Sequence, residues 1–268
     1  MDLTDALRAA RVAGRSAVVP YVMVDRRRSS SLVPTVTAFR DAGATALELG
    51  FPFSDPVADG PVLMASAARS LAAGTSWTDL LEACRRASRI LPTAVMTYAN
   101  PVWRRGLPSS VRELKAAGAS GLIVPDLSLE DSVEWRDAAS RAGLALVLLA
   151  APGTSADRIV RIAKASRGFL YLVGHYGTTG APVAGASVDL GPLVDRARAA
   201  VSELPVLIGF GIRDRASVAR ALSQGADGVV VATALEERLV GGARLEALGS
   251  WLRGLVTVPL PRRPQVIP

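Results

Sequence analysis

Along the chain, two textures of polarity alternate. Short, almost wholly apolar runs recur eight times, at Ala17–Met23, Thr45–Gly50, Thr93–Tyr98, Gly121–Pro125, Leu144–Ala150, Phe169–Gly174, Val206–Phe210 and Gly228–Ala232. Runs of this length without polar alternation are expected of parallel strands covered on both faces. Between them, apolar side chains return every three or four positions. Leu32, Val36 and Phe39 form one such face, and Leu80, Leu81, Cys84 and Ala87 another; Ile159, Ile162 and Ala163 form a third, and Leu193, Val194, Ala197 and Val201 a fourth. That spacing predicts amphipathic helices. Three of the helical segments run into the same ending, Asp41-Ala42-Gly43-Ala44, Ala116-Ala117-Gly118-Ala119 and Ser223-Gln224-Gly225-Ala226, which puts a glycine where a helix must stop before a strand.

Strand then helix, eight times over, predicts an α/β chain folded as one closed (β/α)8 TIM barrel. The alternative, a doubly wound open sheet, would carry a glycine-rich turn after its first strand, and Tyr21-Val22-Met23-Val24-Asp25 has none. Residues 2–14 read as an extra amphipathic helix able to plug the barrel's N-terminal end. From Pro259 onward, four prolines in the last ten residues rule out a helix and predict a loosely ordered tail. The expected division is a barrel domain over 1–258 and a Pro-rich tail over 259–268.

Composition narrows the chemistry. At 268 residues, half of them apolar, the chain can bury one large core. Its longest apolar stretch, Leu144 to Pro152, is far short of the ~18 residues that span a bilayer. The first fifteen residues mix Asp2 and Asp5 with arginines and have no signal-peptide core, so the expected location is the cytoplasm. A single cysteine, Cys84, precludes an internal disulfide and reads as a small core residue. The net charge of +7 comes almost entirely from arginines scattered over helical outer faces, with aromatics at only 5%. That pattern does not support nucleic-acid binding but suits an anionic small-molecule substrate. Arg26-Arg27-Arg28 is the one cluster, and it reads as a solvated loop.

In such a barrel the site lies at the C-terminal strand ends. Those ends carry Tyr21, Glu48, Tyr98 with Asn100, Asp126, Tyr171 with His175, Gly209-Phe210-Gly211 and Ala232-Thr233. Glu48 sits inside the apolar run Ala46-Leu47-Glu48-Leu49, and the following loop brings Asp59 towards the same end. An unpaired buried carboxylate costs several kcal/mol, so two at one strand mouth suggest acid–base chemistry. The competing reading puts Glu48 on a half-exposed strand and makes Asp59 a turn residue. Gly209, Gly211, Ala232 and Thr233 close the seventh and eighth strands, where glycine and a following helix start make the usual phosphate cradle. The long loop Gly174 to Ser187 reads as a lid. His175 is the only histidine, and with no second histidine or cysteine at ligand spacing no metal is expected.

Several of these segments together resemble one known family. Glu48-Leu49-Gly50, Pro52-Phe53-Ser54-Asp55-Pro56 and Ala58-Asp59-Gly60-Pro61 are similar to the signature of the tryptophan synthase alpha subunit. So are Met96-Thr97-Tyr98 with Asn100-Pro101, Val124-Pro125-Asp126-Leu127, Gly177 with Thr179-Gly180, and Gly209-Phe210-Gly211-Ile212. The resemblance implies a lyase that cleaves indole-3-glycerol phosphate to indole and glyceraldehyde 3-phosphate without a cofactor, and a possible tryptophan synthase beta subunit as partner. It also implies roles. Glu48 would be the general acid/base, Asp59 the group that accepts the indole N–H, and Tyr171 a tyrosine beside the glutamate. Thr179 would be the lid threonine and Gly180, with Gly209 and Gly211, part of the phosphate site; Tyr98, Asn100, Asp126 and Phe210 would meet substrate.

The sequence departs from the family pattern in three places. Asp25-Arg26-Arg27-Arg28-Ser29-Ser30 replaces a small Gly-Asp-Pro loop, Gly174-His175-Tyr176 replaces a serine and arginine stretch, and Ala232-Thr233 replaces a Gly-Ser pair. These leave open a free-standing lyase with a rebuilt lid, a lyase on a modified indole, or a non-catalytic sugar-phosphate-binding barrel that regulates a partner.

Overall fold

A computed structural model describes residues 2–174 and 189–261. Its eight strands are β1 (Ala17–Met23), β2 (Leu47–Gly50), β3 (Thr93–Met96), β4 (Gly121–Ile123), β5 (Ala145–Ala150), β6 (Leu170–Val173), β7 (Val206–Gly209) and β8 (Gly228–Val231). All pair in parallel and in chain order, and β1 pairs with β8 as well as β2, closing the barrel as the repeat predicts.

Twelve α-helices occur among the described residues. The first six are α1 (Leu3–Val12), α2 (Ser29–Asp41), α3 (Pro61–Ala72), α4 (Trp77–Ala87), α5 (Ala99–Arg105) and α6 (Leu107–Ala116). The others are α7 (Ser132–Ala142), α8 (Ala156–Ala165), α9 (Gly191–Ala200), α10 (Arg215–Ser223), α11 (Thr233–Val240) and α12 (Leu245–Val256). The simple one-strand, one-helix unit is therefore doubled after β2, β3 and β8. The shared endings at Gly43, Gly118 and Gly225 all have φ near +90°, a left-handed stop that only glycine adopts without strain. No described helix is long and apolar enough to cross a membrane.

Two apolar layers hold the barrel. The outer one packs strands on helices and contains the buried Cys84 as expected. The inner one is built from alternate strand residues such as Val19, Ala46, Ala94, Phe169, Leu207 and Val230. Leu3, Leu7 and Ala10 of α1 join that inner layer, so the N-terminal helix plugs the barrel floor. The start of the Pro-rich segment is tied down: Pro259 forms an isolated antiparallel bridge with Arg15. The remainder of that tail, 262–268, lies outside the described residues.

Candidate active site

With Leu47 and Leu49 packed outward into the strand–helix layer, the two-residue period of β2 turns Glu48 inward between Ala46 and Gly50. Its Cα stands level with Tyr21 on β1 and Ala94 on β3. Glu48 is 1% exposed, and its Oε2 has no hydrogen-bond partner among the described residues. Burial, followed by the nearby charge of Asp59, pushes its carboxyl up to about 8.

Asp59 ends the loop after β2, just before Gly60 and Pro61 start α3; proline at the first helical position fixes where that helix begins. The competing reading, which made Asp59 a turn residue, does not fit its burial. Asp59 is 4% exposed with Oδ1 unpartnered among the described residues, and burial pushes it up to about 6 while the Tyr98 hydroxyl draws it back down. Tyr98 is itself held in place by the Ala58 N–H, which donates to its hydroxyl at 3.1 Å, and by stacking on Phe53 at 5.3 Å between centroids. Both buried acids are thus raised, Glu48 further than Asp59, and each has one oxygen without a hydrogen-bond partner among the described residues.

Tyrosines complete the mouth. Tyr171 on β6 is buried, and a methyl group on Gly209 would lie 2.1 Å from its hydroxyl, so glycine on β7 is what admits the ring. Tyr21 fills the corresponding space over Gly50, where an added methyl would lie 1.8 Å from its hydroxyl. Both phenols are pushed well up, mainly by burial and further by the carboxylate charges. Tyr21 was visible as a strand-end residue, but its approach to Gly50 is a tertiary fact.

Phe210 follows β7 with φ +67, the only described non-glycine residue in the left-handed region, and Gly211 continues it at φ +76. That conformation costs of order 1 kcal/mol for a side chain with a Cβ, and it sets the Phe210 ring edge-on to Tyr171 at 6.0 Å. At the end of β8, α11 begins at Thr233 with Ala232 as its cap residue and no side-chain cap bond, in contrast to α10, which Asp214 and Ser217 cap reciprocally. A helix start without a side-chain acceptor suits an anion.

The remaining sequence candidates divide. Asn100 and Asp126 are exposed and line an open groove with Trp103, Leu127 and Trp135, on the α5–α7 side and not against the buried pair. The Asp126 carboxylate accepts from the Ala99 N–H at 2.9 Å, so it caps the start of α5. Asn100 faces that groove because the chain turns helical at Ala99 instead of continuing as strand. Thr179, Gly180 and the lid reading with His175 lie outside the described residues. Among the described residues no group of three metal-ligating side chains is assembled.

The arginine cluster is a correction to the sequence reading. Arg26–Arg28 form a short 3-10 turn; the exposed Arg27 turns back onto the buried Asp25, and Arg28 reaches inward to the fully buried Glu236 of α11 at 3.0 Å. Ser66 of α3 donates to the same glutamate oxygen at 2.5 Å. Glu236 was missed because Glu236-Glu237-Arg238 reads as an ordinary solvated helix face; no local signal marks it.

A parallel eight-stranded barrel with two buried carboxylates at its C-terminal mouth, and an open helix start in the same barrel, has the architecture of a (β/α)8 enzyme. The comparisons with known proteins then place it. The profile described as "Tryptophan synthase alpha chain" matches residues 7–246, and the chain belongs to that family. It is 38% identical over 251 residues to the tryptophan synthase alpha chain of Picosynechococcus sp., covering 93% of this chain and 94% of that one. Identity to the alpha chain of Halorhodospira halophila is 41% over 245 residues, 89% and 87% of the two chains. Among solved structures it is similar to tryptophan synthase from M. tuberculosis in its aminoacrylate-bound form, with a TM-score of 0.84, 32% identity and coverage of 96% and 98%. The alpha chain of Legionella pneumophila matches with a TM-score of 0.82 at 27% identity, covering 96% and 97%.

Proposed function

We propose that this chain, as a tryptophan synthase alpha subunit, cleaves indole-3-glycerol phosphate to indole and glyceraldehyde 3-phosphate, with Glu48 and Asp59 as its two working acids. The observation that carries the assignment of roles is their staggered titration. Near neutral pH, Glu48, pushed up to about 8, holds a proton, while Asp59, at about 6, is mostly ionised. Glu48 gives its proton to the indole carbon that bears the glycerol chain. The ring becomes a cationic indolenine, and the Asp59 carboxylate accepts the indole N–H and steadies the charge. The glutamate, now ionised, takes the proton of the hydroxyl on the adjacent glycerol carbon. The carbon–carbon bond breaks, its electrons return to the ring, and the glycerol fragment leaves as an aldehyde. Glu48 ends as it began, protonated, so no cofactor is consumed.

Tyr171, packed on Gly209 and Phe210, walls the indole space. Gly209, Gly211, Ala232 and Thr233 hold the phosphate. Tyr98 sets Asp59; Asn100 and Asp126 belong to the rim. Residues 1–258 form the catalytic unit, working in the cytoplasm. The β subunit docks on the rim, where Val57, Trp103 and Val133 are 72%, 59% and 52% exposed. Indole release by the purified chain, alone and with a β subunit added, tests the reading. Glu48→Gln and Asp59→Asn each lower turnover by orders of magnitude if it is right, and unchanged turnover in either variant removes that residue from the mechanism.

A further inference from the structure

We propose that Arg28 and Glu236 form a charge-balancing pair that sets the affinity of the phosphate site, with Glu236 as a positioning residue for α11 and Arg28 as its neutraliser. This inference rests on the phosphate site lying at Ala232–Thr233, and it adds to that reading an element supplied by the loop after β1.

Glu236 lies three residues into α11 from Thr233, which is about 4.5 Å along the helix axis. Its side chain is 0% exposed, and its charge contributes, after burial and Asp59, to pushing up the Tyr21 phenol, so the carboxylate lies close to the barrel mouth. A carboxylate within one turn of the helix start would repel a phosphate dianion bound there. Two contacts tie it down: Arg28 Nη1 at 3.0 Å and the Ser66 hydroxyl at 2.5 Å, both on Oε1. Oε2 has no partner among the described residues. The three groups come from the loop after β1, from α3 and from α11, and α3 is itself bonded to the end of β1 by the Ser70 hydroxyl on the Val24 carbonyl at 2.7 Å. The triad therefore joins the helix that follows Asp59 to the helix that faces the phosphate. Arg28 is 29% exposed at the side chain, which leaves it reachable by solvent but aimed at a buried partner.

With the pair intact the local charge is zero. Removing the cation leaves a bare buried carboxylate beside the phosphate; removing the anion leaves a guanidinium there instead. The two single variants must consequently move phosphate affinity in opposite directions, which a purely structural ion pair would not do. A charge within about a helical turn of a bound anion, in a partly dry site, acts by roughly tenfold on a binding constant.

The experiment measures KM and kcat for indole-3-glycerol phosphate and the inhibition constant of inorganic phosphate, in wild type, Arg28→Met, Glu236→Gln and the double variant. Arg28→Met should raise KM and the inhibition constant about tenfold while kcat stays within about threefold. Glu236→Gln should leave KM equal or lower and tighten phosphate inhibition several-fold. The double variant should return both constants towards wild type. Should Arg28→Met fail to fold, as loss of one partner from a buried pair can cause, Glu236→Gln alone decides. Unchanged or weakened phosphate inhibition in that variant overturns the inference. Thr233→Val serves as the separate arm. If it leaves both constants unchanged, the phosphate site is misplaced and the inference falls with it; if it raises them while the pair's variants do not, only the charge-balancing role is refuted.

Discussion

Replacing Glu48 by glutamine should abolish catalysis and at the same time make the protein more resistant to unfolding, increasingly so as the pH rises. The folded-state carboxyl is pushed up to about 8, against an ordinary value of 4.5, by burial first and by Asp59 second. Between those two pH values the folded chain keeps the proton and the unfolded chain releases it. The group's contribution to stability is therefore full below about 4.5 and is lost as pH rises through 8. Each pH unit in that window costs about 1.4 kcal/mol, so the three units from pH 5 to pH 8 amount to roughly 4 kcal/mol as an upper value. Glutamine has the same shape and does not titrate, so that loss disappears from the variant. An amide brings its own unpaired donors, but that offset is the same at every pH. The assay is urea unfolding of wild type and Glu48→Gln at pH 5, 6.5 and 8. The variant's stability relative to wild type should climb by several kcal/mol across the series. A gap that does not change with pH would mean that the glutamate titrates near its ordinary value, and the acid role argued from its buried proton would go with it.

Other consequences follow from the same geometry. The profile of kcat/KM against pH should be a bell, with an acid limb near 6 where Asp59 loses its charge and an alkaline limb near 8 where Glu48 loses its proton, both read as properties of the coupled pair. Tyr98→Phe removes the hydroxyl that lowers Asp59, so the acid limb should move up by about half a unit to one unit; a fixed limb would show that the tyrosine is only packing. Gly209→Ala puts a methyl 2.1 Å from the Tyr171 hydroxyl, and thermal melts should show a loss of about 1–3 kcal/mol together with a fall in kcat. Trp103→Asp on the exposed rim should weaken β-subunit binding by about 2 kcal/mol or more in calorimetry while leaving indole release by the isolated chain unaltered.

The barrel was legible in the sequence because its strands are buried on both faces. Such strands read as unbroken apolar runs, and the runs at Ala17, Val206 and Gly228 match the observed strand starts. Glu48 stood out for the same reason: a charge inside an apolar run is costly and draws attention, and Asp59 stood out because its loop leads back to the same strand end. What stayed hidden depends on direction and distance. Asn100 was grouped with Tyr98, yet the switch from strand to helix at Ala99 sends Asn100 out to the α5–α7 groove while Tyr98 stays buried. Asp59 could be read as a turn residue because a Pro-rich loop is normally polar, whereas it is only 4% exposed. The Arg28–Glu236 pair joins residues 208 apart, and neither partner differs locally from a surface charge.

The order in which the staves meet bears on how the molecule is made. The first strand hydrogen-bonds to the last, and the segment just ahead of it, at Arg15, bridges to Pro259. A ribosome thus finishes the opening strand long before its second neighbour exists. Until residues 228–231 emerge, one flank of that strand has unmet backbone partners, and the apolar underside of the starting helix has only part of its seat. The nascent chain is therefore exposed to sticking and mispairing late in synthesis, and protection by chaperones matters most just before the ring is sealed.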